Sequence, residues 1–130
     1  MNFFLPKEAK IAISILDEMA LTDETVAFRL VREVVEKMIR SHAQDFADII
    51  RKGASPRAWV YSAVSNIAGD MVSSGEFHVY RGYLNPMGPG EDLLCLYDKT
   101  VDELIKMGHV DAAYAAKQKQ GLRESIREVG

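Results

Sequence analysis

The chain has 130 residues, enough for one domain that buries about two-thirds of its unfolded surface without a disulfide or metal staple. Its 48% apolar and 27% charged residues are average for a soluble globular protein and argue against a disordered body. A formal net charge of -3 argues against nucleic acid as a partner, and the single cysteine excludes an internal disulfide and suits a reducing compartment.

The chain starts with an apolar stretch, but Lys7, Glu8 and Lys10 follow at once. A signal peptide needs basic residues first and then an unbroken apolar run. No stretch approaches the roughly 20 apolar residues of a membrane span. The expectation is a complete cytoplasmic protein, 1–130 forming one helical domain.

Pro6 suits a helix start, where its missing N–H costs nothing. Ala12, Ile15, Leu16 and Met19 then share one face, which predicts a first helix from about Pro6 to Ala20. Thr22 reads as the next N-cap, with Leu21 and Val26 placed as a hydrophobic staple. Ala27, Leu30, Val31, Val34, Val35 and Met38 make a helical stripe. The pattern runs on through Phe46, Ile49 and Ile50 to Gly53. A helix from Thr22 to Lys52 is long for a globular protein, so a bend or break is expected near Ser41-His42.

Ser55-Pro56 is another start signal. Trp59, Val60, Ala63, Val64, Ile67, Ala68, Met71 and Val72 form the most apolar face in the chain. This third helix, about Pro56 to Ser74, is expected at the centre. Its other face, with Ser62, Ser65, Gly69 and Ser73, reads first as close helix packing and second as a shallow ligand surface. A fourth helix begins at Glu91-Asp92 and ends at Met107-Gly108, and a fifth starts at Asp111 as N-cap and runs to about Val129.

Between the third and fourth helices lies a segment of different character. Residues 76–84 are strand-prone, with Phe77-His78-Val79-Tyr80 alternating, and 85–90 are rich in proline and glycine. The fold prediction is all-α, a bundle of about five helices with this one short extended segment.

Few constellations carry chemistry. His42, His78 and His109 lie far apart in sequence, and none follows a glutamate at the spacing a helical metal site uses. No metal and no cofactor are expected. Asp98, Asp102 and Glu103 stand beside Lys99 and Lys106 and read as a solvated face. Cys95, among Leu94, Leu96 and Tyr97, reads as a small buried hydrophobe, because nothing adjacent would stabilise a thiolate. Gly88-Pro89-Gly90 precedes a helix start, but Glu91 and Asp92 would repel an anion there.

What remains is His78, Tyr80, Arg81, Tyr83 and Asn85. Tyrosine and arginine are residue types that anchor interfaces and also line ligand pockets. The opposing reading is that the tyrosines cap the core and Arg81 pairs with a surface carboxylate. The expectation is a non-catalytic, self-associating interaction module, a dimer, using this segment. One alternative is a ligand-binding protein or enzyme with a pocket between the 56–74 helix and the 76–92 segment. A weaker one is a helical DNA-binding regulator, for which Arg29, Arg32, Lys37, Arg40, Arg51, Lys52 and Arg57 are the basic candidates, interleaved with acids.

Overall fold

The computed structural model describes residues 5–74 and 91–129, with no account of the side chains of Ser74, Glu91 or 125–129. It is all-α: α1 (Lys7–Ala20), α2 (Val26–Ser41), α3 (Ala43–Arg51), α4 (Pro56–Ser74), α5 (Glu91–Lys106) and α6 (Ala112–Val129). Among the described residues there are six helices rather than five, because the expected break at His42 divides the 22–52 stretch into two. Among the described residues there is no strand, and the expected extended segment lies outside them.

The helix ends follow local chemistry. Ser55 Oγ accepts from the Ala58 amide at 3.2 Å and opens α4, and Asp111 Oδ2 accepts from the Tyr114 amide at 3.0 Å and opens α6. Gly53 and Gly108 take positive φ, +111° and +71°. Behind each, a 6→1 and a 5→2 bond close the helix: Ala54 N–H to Ile49 O with Gly53 N–H to Ile50 O, and His109 N–H to Leu104 O with Gly108 N–H to Ile105 O. These are Schellman ends, which a residue with a β-carbon would strain.

The start of α2 differs from the expectation. Thr25, not Thr22, is the N-cap, its hydroxyl accepting from the Phe28 amide at 3.1 Å. Thr22 instead donates to the Met19 carbonyl at the end of α1. Leu21 is 81% exposed and forms no staple with Val26. Three residues shorter at its start, α2 buries Ala27, Phe28, Val31, Val35 and Ile39, and leaves Met38 exposed. Phe28 and Ile39 are thus core residues that the predicted stripe left out.

At the centre, α4 packs against α1, α2, α5 and α6. Val60, Val64, Ala68 and Val72 are fully buried there, while Trp59 and Ile67 are half-buried. A wide apolar face is what a helix needs when others cover it on several sides, and α4 leaves Asn66, Asp70 and Ser73 to the solvent. At Gly69 the Tyr97 ring of α5 and Leu122 of α6 come near enough that a β-carbon would meet them in ordinary contact, at 3.4 and 3.6 Å. Phe46 of α3 meets Trp59 edge-on, centroids 4.8 Å apart. Cys95 is exposed, not buried as predicted, because α5 turns Leu93, Leu94 and Leu96 inward and leaves position 95 on the outer side.

α1 and α3 are joined by a two-pronged ion pair. Arg51 Nε donates to Glu8 Oε2 at 3.2 Å and Arg51 Nη2 to Glu8 Oε1 at 3.1 Å. These bonds hold the Glu8 carboxyl below its ordinary value of 4.5. A lowered carboxyl pKa stabilises the fold above that value and loses its contribution as pH falls through the folded pKa. Arg51→Gln should therefore be less stable than wild type at neutral pH, with the gap closing below about pH 4.5. Urea unfolding at pH 7 and at pH 3 checks this, and an equal gap at both values would rule the linkage out.

Candidate functional site

The residues expected at the site, His78, Tyr80, Arg81, Tyr83 and Asn85, lie outside the described residues. The described surface offers a different candidate, a groove of about 260 Å³ between α4, α5 and α6. α4 contributes Ser62, Ser65 and Asn66, and α5 contributes Tyr97, Val101 and Leu104. The turn into α6 and its first half bring His109, Val110, Tyr114, Ala115 and Gln118.

Each wall has a local cause. Ser65 is buried and donates to the Ser62 carbonyl at 2.9 Å, so a small polar residue lies flat where a larger one would close the groove. Tyr97 packs over Gly69, which fixes its ring along the floor. Burial pushes the Tyr97 phenol above its ordinary value, and the neighbouring Asp98 carboxylate acts in the same direction. The hydroxyl is therefore a stable hydrogen-bonding group at neutral pH. The Schellman turn at Gly108 brings His109 to the groove, and Asp111 starts α6 so that Tyr114 falls at the rim, 60% exposed.

Among the described side chains of α6, Ala115 and Leu122 are the buried ones. Ion pairs on its far side hold it: Lys119 Nζ to Asp102 Oδ1 and Arg123 Nη2 to Asp98 Oδ2, both 2.6 Å. Of the α5 carboxylates that read as a solvated face, Asp98 and Asp102 thus make exposed ion pairs to α6, and Glu103 pairs with Lys106 on α5 itself. The groove has eleven lining residues, none bearing a formal charge at neutral pH with histidine neutral. On a chain more than a quarter charged, that is a selective composition.

On the small polar face of α4, Gly69 lies beneath the Tyr97 ring, and Ser62 and Ser65 line the groove. Sequence reasoning missed Tyr97, His109, Tyr114 and Gln118. Tyr114 alone carried a signal, as a lone aromatic in a run of Ala, Lys and Gln.

The basic residues weighed for DNA binding are largely engaged. Arg32 pairs with Asp17, Arg40 with Glu36, Arg51 with Glu8 and Asp48, and Arg57 with Glu18. Among the described residues no group of three or more His, Cys, Asp or Glu is placed to hold a metal ion, and no helix is long and apolar enough to cross a membrane. No protein-family model, curated protein or solved structure matches this chain.

Proposed function

We propose that the protein is a non-catalytic interaction module that associates with a second copy of itself through the α4–α5–α6 groove. The observation that carries this reading is the uncharged lining. In a two-fold contact each surface meets its own copy, so a charge near the axis faces its like. A net charge of -3 per chain makes a neutral patch the favourable one to present. The rim supplies a knob as well as a hole: Tyr114, mostly exposed, stands beside a groove with space for an aromatic ring. Tyrosine gives large contact area and a hydrogen bond at small entropy cost. The exposed Cys95 thiol suits a reducing compartment, and we place the protein in the cytoplasm on that ground.

A free small molecule is the second reading for this groove. Its volume of about 260 Å³ lies just under the roughly 300–1,000 Å³ common for such sites, which favours the protein partner.

The wild type should scatter light at micromolar concentration as a particle of twice the 14.5 kDa chain mass. Tyr114→Asp removes the ring and puts a charge into the neutral groove of the partner, and should return the mass to that of one chain. Because Tyr114 is exposed, its melting curve at high dilution should match wild type. A wild type that stays at one chain mass at high concentration refutes the proposal.

A further inference from the structure

A second, more enclosed cavity lies on the neighbouring face of α5. It holds about 150 Å³ where the end of α1, the α1–α2 turn and the start of α2 meet α4 and α5. Its floor is apolar: Met19, Phe28 and Leu96, all buried. Its mouth carries charges of both signs, with Asp23, Lys99 and Glu103.

The state of those charges is informative. The Asp23 side chain is only 11% exposed. Its Oδ1 accepts from the Thr25 amide at 3.1 Å and the Thr25 hydroxyl at 2.6 Å, which ties it to the cap of α2. Its Oδ2 forms an ion pair with Lys99 Nζ at 3.9 Å, too long for a direct hydrogen bond. A loosely paired ammonium and carboxylate thus stand together at the mouth of an apolar hole. Glu103 is engaged with Lys106 at 3.3 Å, which leaves the Asp23–Lys99 pair as the nearly balanced feature of the mouth.

We propose that this cavity binds a small α-amino acid with an apolar side chain. A zwitterion offers an ammonium to Asp23 and a carboxylate to Lys99, so neither protein charge loses its partner when the ligand displaces water. A lone amine or a lone acid would satisfy one and leave the other. The volume fixes the size class: a cavity of about 150 Å³ accepts one benzene ring, so an aliphatic side chain of four carbons fits over Phe28 and Leu96. The site is independent of the groove, since it uses other faces of α4 and α5.

The test is an amide NMR titration of the wild type with L-leucine, isopentylamine and 4-methylpentanoate. L-Leucine should shift the amides of Thr22 to Phe28 and Leu96 to Glu103 in a saturable way, with each half-molecule binding at least about tenfold more weakly, a difference of about 1.4 kcal/mol. Lys99→Gln, at a half-exposed position that does not threaten the fold, should weaken L-leucine by a similar factor. Tyr114→Asp should leave it unchanged. No saturable shift up to about 20 mM ligand, binding of the amine as tight as that of the amino acid, or unaltered binding by Lys99→Gln would each overturn the proposal.

Discussion

Val64→Asp is expected to leave no folded protein at room temperature. Val64 is fully buried on the helix that four others cover. A carboxylate there loses its water and gains no partner, a cost of several kcal/mol even after its pKa rises. Domains of this size have about 5–15 kcal/mol in total, and the lost valine contacts add to the deficit. Circular dichroism at neutral pH should show a coil-like spectrum. Asn66→Asp, on the same helix but exposed, is the control and should stay folded. A well-folded Val64→Asp would mean that α4 is not the core.

Phe28→Ala is expected to cost about 3–5 kcal/mol in urea unfolding. Phe28 is 1% exposed and sits three residues inside the Thr25 cap. Its ring seats the start of α2 and floors the α1–α2 cavity. Truncation merges the ring's volume with space already present, so the surroundings have little to collapse with and the cost should fall in the upper part of that range. A loss under about 1 kcal/mol would show that the first turn of α2 is held by its cap alone.

The contrast between these two residues shows where the sequence was legible. Val64 lies in the middle of the most apolar face in the chain, on a helix opened by Ser55-Pro56, so both the helix and the burial could be read directly. The caps at Ser55 and Asp111 and the ends at Gly53 and Gly108 were legible too, because a hydroxyl, a carboxylate or a missing β-carbon acts within one turn of itself. Phe28 was not legible. Thr22 and Thr25 are both candidates for a cap, and the Asp23 carboxylate, bonded to the amide and hydroxyl of Thr25 two residues on, goes with the later one. That choice of cap leaves Leu21 in solvent and turns Phe28 inward. The break at His42 has neither proline nor glycine to mark it, so length alone suggested it.

The groove was illegible for another reason. Tyr97 and Tyr114 are seventeen positions apart and meet Ser62 and Ser65 only through the packing of α4, α5 and α6. A single sequence carries periodicity along each helix but not which helices become neighbours. Cys95 makes the same point on one helix: its apolar neighbours suggested burial, whereas the rotation of α5 exposes it.

Self-association through the groove has a competitor on the same molecule. Ile11 of α1 and Ile49 of α3 are both exposed, on helices that pack away from α6. Light scattering of two charge variants at micromolar concentration separates the two faces most directly. The groove account predicts the mass of one chain for Tyr114→Asp and twice that mass for Ile11→Asp. A dimer lost in Ile11→Asp and kept in Tyr114→Asp, or kept in both, would contradict it.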